Sequence, residues 1–188
     1  MNKKPYHHGN LKQELIEKGL EYVDRFGVES LSMRKLADSA GVSCAAPYAH
    51  FKNKDDFLDE VQNYITEQLT AVLKETTAAC TDRSKLLREL GRSYTLFFYE
   101  NPLYYQFLFN RKKIDIYAYP PFQLFLNTAV DTLRHLHGED ISEDDLRFKT
   151  IAMWSLVLGL PQIALMEGII NTDMLDAEID SVLCAVKI

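Results

Sequence analysis

The chain has 188 residues, 47% hydrophobic and 26% charged, with a net charge of −6 at pH 7. This is an ordinary soluble globular composition, long enough for one or two small domains with a sizeable core. The acidity argues against an indiscriminate nucleic-acid binder, yet it is uneven: residues 1–54 hold nine Lys/Arg against six Asp/Glu, and the remainder twelve against twenty-one, a head of +3 on a body of −9.

Cys44, Cys80 and Cys184 are odd in number and widely spaced. Neither a disulfide framework nor a zinc site is expected, and a reducing cytoplasm is the default compartment. Lys3 and Lys4 are followed by no apolar run, so no secretory signal is expected. Residues 151–170 have about the length of a membrane span, but Pro161, Gln162 and Glu167 interrupt them. They read as a helix buried on two sides, and no membrane partner is expected.

Residues 1–9 form a polar arm; His7 and His8 point different ways on a helix and have no third ligand nearby, so no metal is expected. Leu11, Leu15, Tyr22 and Phe26, widened by Ile16 and Val23, mark one face of a first helix that Gly27 ends. Ser32 is placed to cap a second helix, Met33 to Ala40, with Met33, Leu36, Ala37 and Ala40 on one face. Gly41 stands where that helix must stop, because glycine takes a left-handed conformation without a Cβ penalty. Val42 pins the turn, and Ser43 is placed to cap a short helix from Cys44 to about Phe51, with Pro47 near its start. A long helix is expected from Asn53 to about Ala78, then Asp82 to Glu100, broken by Asn101-Pro102, and a short aromatic Leu103 to Phe109. Arg111 to Tyr119 reads as a loop. Pro120-Pro121 opens a helix to about His137, stopped by Gly138. Ser142, with Glu143, Asp144 and Asp145 behind it, opens one running to about Gly168, bent near Gly159-Leu160-Pro161. Asp173 caps a last helix to Val186. The expectation is an all-α chain of about nine helices.

Residues 32–51 have the pattern of a helix-turn-helix, whose second helix can enter the major groove of DNA. Ala37 and Ala46 are small enough for a steep helix crossing, with Leu36 and Phe51 as core behind it. Cys44, Ala45, Tyr48 and Ala49 then share an outward face, ringed by Arg34, Lys35, His50, Lys52 and Lys54. Asn53 caps the next helix, whose free N–H groups would hold a phosphate beside Lys54. The same pattern also suits a plain amphipathic hairpin with solvated charges.

The block Ser32 to Leu58 resembles the DNA-binding motif of the TetR family of bacterial repressors. The matching residues are Leu36-Ala37, Gly41-Val42-Ser43, Tyr48, His50-Phe51, Asn53-Lys54 and Phe57-Leu58, and Tyr6 to Leu11 resembles the lead-in of one branch. The resemblance implies a DNA-binding domain over 7–67, with the motif at 32–51, and a ligand-binding and dimerisation domain over 68–188. It implies Arg34 as the main base reader, gripping guanine, with Cys44, Ala45 and Ala49 at base edges. Ser32, Tyr48, His50 and Lys54 would fix register on phosphates, with Ser43 and Lys52 beside them. Tyr48 also reads as a buttress of the hairpin, and Cys44 as a redox-sensitive thiol.

So short a reading helix contacts few bases. Two copies on a two-fold axis would read a palindromic operator in double-stranded DNA. The body faintly resembles one class of TetR C-terminal domain through Asn101 to Phe109 and Trp154-x4-Gly159, with Leu158 where that class often has histidine. The homodimer surface is expected on the last two helices, at Trp154, Val157, Leu158, Ile163 and Leu183, in the four-helix bundle of the family. Tyr94, Phe97, Phe98, Tyr105, Phe109, Phe122, Phe125 and Trp154 read either as plain core or as a pocket for an unknown apolar or aromatic effector. Nucleophile–base pairs, facing carboxylates and phosphate loops are not found in the sequence, so neither enzymatic activity nor a cofactor is expected. Glu139, Asp140, Glu143, Asp144 and Asp145 read as a solvated helix start.

Overall fold

The computed structural model describes residues 11–110, 119–138, 141–166 and 168–185, excluding the side chains of Asn110, His137 and Thr172. The arm with His7 and His8, the lead-in before Leu11, the loop 111–118, and Glu139, Asp140 and Glu167 lie outside them. Among the described residues eight α-helices run in chain order: α1 Leu11–Phe26, α2 Met33–Ser39, α3 Lys54–Ala79, α4 Leu86–Glu100, α5 Pro102–Asn110, α6 Pro120–His137, α7 Glu143–Ala164 and α8 Leu175–Ala185. Four single 3-10 turns, at Val28–Ser30, Pro47–Ala49, Arg83–Lys85 and Thr172–Met174, punctuate them. No strand occurs among the described residues, and the all-α expectation stands.

The chain divides into two compact units, Met1–Ile65 with Gln106–Arg111, and Thr66–Tyr105 with Lys112–Ile188. In the first, Leu15, Ile16, Gly19 and Leu20 of α1 are buried, at i, i+1, i+4 and i+5. Phe26 departs from the expected face. It is 61% exposed, because the last turn of α1 runs past the core, and its ring rests 4.8 Å from that of Tyr22. Leu31, Met33, Leu36, Ala37, Phe51, Phe57, Leu58 and Val61 complete this core.

In the second unit, α4 is the central helix, burying Leu87, Leu90, Gly91, Tyr94, Thr95, Phe97 and Phe98. α6, α7 and α8 pack on it. Gly91 sits where a Cβ would lie 3.2 Å from Leu183 Cδ2 and 3.3 Å from Val157 Cγ2, so its lack of a side chain lets α7 and α8 close on α4. At the ends, Gly138 stops α6 at φ 81° and Ser142 caps α7 by accepting from Asp145 N. α7 ends at Ala164, earlier than expected, and Gly168 lies beyond it at φ 79°. Pro161 lies inside α7 and is buried.

Candidate nucleic-acid interface

The first unit builds its exposed edge from local hydrogen bonds. Ser32, extended at φ −138°, caps α2 by accepting from Lys35 N at 3.3 Å. α2 closes in a Schellman turn: Val42 N donates to Ala37 O at 3.0 Å and Gly41 N to Asp38 O at 3.2 Å. Gly41 takes φ 67°, a left-handed conformation that penalises a side chain.

The reading segment is tighter than expected. Residues 44–46 are a turn and Pro47–Ala49 a 3-10 helix, in place of an α-helix to Phe51. The bonds run i to i−3: Ala46 N to Ser43 O, Tyr48 N to Ala45 O, Ala49 N to Ala46 O. Pro47 has no N–H to donate back to Ser43, so the α-helical ladder cannot start there. Ser43 is not a side-chain cap. It contributes its carbonyl, and Ala46 stands at the cap position without a side-chain bond.

Pro47 and Phe51 point inward, the latter 1% exposed with its ring edge-on to Phe57 at 5.0 Å. Ser43, Cys44, Ala45, Tyr48, Ala49 and His50 are all exposed, Tyr48 to 59%. Ser32, Arg34 and Lys52 are exposed beside them, and Lys54 is half-buried. Two neighbouring cations are already engaged. Lys35 Nζ donates to Ser30 O at 2.8 Å and lies 5.8 Å over the Tyr22 ring. Lys54 Nζ reaches Glu29 O at 3.5 Å.

The start of α3 departs from the anion site expected there. Asn53 caps it as predicted, with Asp56 N donating to Asn53 Oδ1 at 2.9 Å. Asp56 returns the bond by accepting from Lys52 N at 2.7 Å, a reciprocal box. With Asp55 and Asp56 in the first turn, the dipole end already faces carboxylates. The Asn53-x-x-Asp56 spacing carries that signal in the sequence.

In the second unit, seven of the eight aromatic residues proposed for a pocket form one network. Trp154 lies 4.8 Å from Phe122, 5.1 Å from Phe125 and 5.9 Å from Tyr94. Tyr94 meets Phe98 at 4.9 Å, and Phe98 meets Phe97 at 5.1 Å and Tyr105 at 5.4 Å. Tyr105 donates to Leu158 O at 3.0 Å. Phe109 is not among them: it falls in the first unit and is 38% exposed. Tyr119, just before α6, is buried as well. Burial pushes the Tyr94, Tyr105 and Tyr119 phenols above their ordinary range.

Three of the five residues expected at a partner surface, Trp154, Val157 and Leu183, pack inside the unit against α4, α6 or the α7–α8 core. Leu158 is half-buried. Ile163 is 39% exposed and shares the outer side with Phe148 at 58%, Ile151 at 52% and, past the helix end, Met166 at 49%. α7 is thus apolar on two sides. The periodicity could not separate them, because a doubly covered helix shows apolar residues at every register.

A capped helix, a glycine turn and a short exposed 3-10 segment, on described residues that are all-helical, define a helix-turn-helix architecture. Residues 15–61 match the family described as bacterial regulatory proteins of the tetR family. An uncharacterized HTH-type transcriptional regulator of Haemophilus influenzae is 30% identical over 95 residues, 48% of this chain and 51% of that protein. The chain thus spans about half the length of this relative. A solved TetR-family regulator from the same organism superposes with a TM-score of 0.63 at 22% identity, covering 94% of this chain and 96% of that one. The regulator FadR from Bacillus subtilis, solved in complex with stearoyl-CoA, gives 0.70 at 15% identity over 91% and 96%. The family match lies in residues 15–61, within the first unit. Among the described residues no helix is long and apolar enough to cross a membrane.

Proposed function

We propose that the chain is a sequence-specific, DNA-binding transcriptional repressor of the cytoplasm. In this reading it acts as a homodimer on a palindromic operator and is released by a small apolar or aromatic effector. One observation carries the DNA reading: Cys44, Ala45, Tyr48, Ala49 and His50 form a single exposed edge whose reverse, Pro47 and Phe51, is buried. Small apolar groups there suit thymine methyls, exposed Arg34 suits guanine O6 and N7, and Tyr48, His50 and Lys52 suit phosphates.

Two features support the dimer. A reading segment of one 3-10 turn meets few base pairs, so two copies are needed for a long site. The outer side of α7 carries Phe148, Ile151 and Ile163 with no covering element among the described residues. The aromatic network supports the effector, as does a protein of the same fold crystallised with stearoyl-CoA. α3 is unbroken across Ile65–Thr66, where the two units divide.

The test is affinity for genomic fragments carrying inverted repeats at low ionic strength, read by fluorescence anisotropy beside scrambled controls. Repeat-dependent binding with two protomers per site is the expected result. Equal affinity for scrambled DNA overturns the reading.

A further inference from the structure

The first turn of α2 carries two cations and no acid. Arg34 and Lys35 are its second and third residues, and no Asp or Glu stands there to meet the positive end of the helix dipole. Exposed Arg34 has an account in the base reading. Lys35 has none there, and an ammonium at a helix start is unfavourable unless something else holds it.

The hold comes from the loop between α1 and α2. Lys35 turns back across it, and its Nζ donates to Ser30 O at 2.8 Å and stands 5.8 Å from the centre of the Tyr22 ring. Ser30 and Lys35 together hold the Tyr22 phenol below its ordinary range, so the three side chains meet. Ser30 is itself fastened: its Oγ donates to Gly27 O at 2.9 Å and its N to the same oxygen at 3.3 Å. The exposed Phe26 ring leans on that of Tyr22 at 4.8 Å.

Lys35 grips the start of α2 by its backbone as well. Lys35 N donates to the capping Ser32 Oγ at 3.3 Å, which is long for such a bond. α2 has seven residues, too few to hold a helix without outside contacts. Met33, Leu36 and Ala37 fix its inner side in the core, and Leu31, in the segment that Lys35 closes, is buried too. Arg34 lies on the first turn, where helices fray and where the Lys35 side chain acts.

We propose that Lys35 is a positioning residue for DNA recognition: braced on Ser30 O and Tyr22, it fixes the first turn of α2 and with it the direction in which Arg34 leaves the helix, and it makes no phosphate contact of its own. To reach a phosphate, its ammonium would give up an acceptor at 2.8 Å. The proposal rests on the DNA reading above and divides the two cations of one helix turn into a reader and its support.

The probe is the tightest-binding duplex that the full-length protein selects from randomised DNA at low ionic strength. Lys35→Met is expected to weaken its binding about fivefold at every salt concentration. The slope of log affinity against log salt stays as in wild type, whereas loss of a phosphate contact makes it shallower by about one. Discrimination falls at the base pair that Arg34→Ala also relaxes. Lys35→Arg, which keeps the charge and the donors, binds within about twofold of wild type. Tyr22→Leu loses about threefold alone and nothing further beside Lys35→Met. A shallower slope for Lys35→Met overturns the proposal, as does unchanged affinity and base preference. Hydrogen exchange on the free protein reads the brace without DNA: amides of residues 27–36 should exchange faster in Lys35→Met, with those of residues 54–65 unchanged. Should exchange rise throughout the first unit, Tyr22→Leu decides, and full additivity of the pair overturns the proposal. If wild type selects no duplex while the local exchange difference is seen, the DNA reading fails and the brace stands. If a duplex is selected and exchange is equal, the brace fails alone.

Discussion

Gly19 lies where α1 meets α3, and a Cβ built there falls 2.2 Å from Phe57 Cζ and 3.2 Å from Leu36 Cδ1. Alanine in place of a mid-helix glycine ordinarily gains about 1 kcal/mol of helix propensity. Displacing the fully buried Phe57 ring, itself edge-on to Phe51, costs about 1–3 kcal/mol. Overpacking wins, and Gly19→Ala is expected to lower the urea midpoint without changing its slope. The sequence gives no hint of this, since glycine adds nothing to an apolar stripe, whereas Phe26 adds to the stripe and is exposed. The reading face separates along similar lines. Arg34→Ala should relax preference at one base position by about 1–3 kcal/mol, while Lys52→Ala should weaken all sequences alike and lower the salt slope by about one. Competition binding on randomised half-sites at two salt concentrations distinguishes them, and identical profiles for the two variants would remove the assignment.

At the scale of elements, the features visible in the sequence are those whose partners lie within a few residues. Ser32, Asn53 and Ser142 each accept from a backbone N–H three positions on, and Gly41 and Gly138 end helices at positive φ. Residues 44–51 differ in kind from the helix expected there, because propensity marks them as helical and Pro47 withholds the donor that an α-turn needs. Contacts between distant segments left no mark. Arg92 grips Asp176, 84 residues away, through Nε to Oδ1 at 2.6 Å and Nη2 to Oδ2, and also donates to Glu89 at 3.2 Å. This clamp fastens α8 to α4. The Arg92 hydrogen bonds hold the Asp176 carboxyl below its usual range. A lowered folded-state pKa means the contribution is fully present above the ordinary aspartate value, about 3.9. It is lost as pH falls through the lowered one. The pair is largely exposed, so Asp176→Asn should cost no more than about 1 kcal/mol at pH 7. The variant's difference from wild type should vanish in acid melts below the lowered value. A difference that persists there would mean the clamp acts through packing.

At the scale of the whole molecule, the two sides of α7 divide the labour. Trp154, Val157 and Leu160 close the second unit's own core, and Ile151 and Ile163 remain on the outside. Ile151→Glu therefore leaves the fold intact and places a charge on the surface assigned to the second copy. Sedimentation should show a shift from dimer to monomer, with loss of affinity for the full palindrome and an unchanged far-ultraviolet spectrum. A dimer that survives this change, and Ile163→Glu with it, puts the partner surface elsewhere. The all-α architecture, the capped start of α2 and the Gly41 turn were legible because they rest on short-range periodicity and capping. The separation of inner from outer apolar residues was not, because it depends on which neighbour each side meets.

The first unit is not one continuous piece of chain: Gln106–Arg111 joins Met1–Ile65, and Phe107 and Leu108 of that segment are 5% and 0% exposed. On the ribosome, then, the first sixty-five residues emerge well before the piece that completes them. The nascent first unit waits through the synthesis of α4 before Phe107 and Leu108 arrive. A gene truncated after α3 would leave that wait unending and yield a fragment more prone to proteolysis than the same residues in the finished protein.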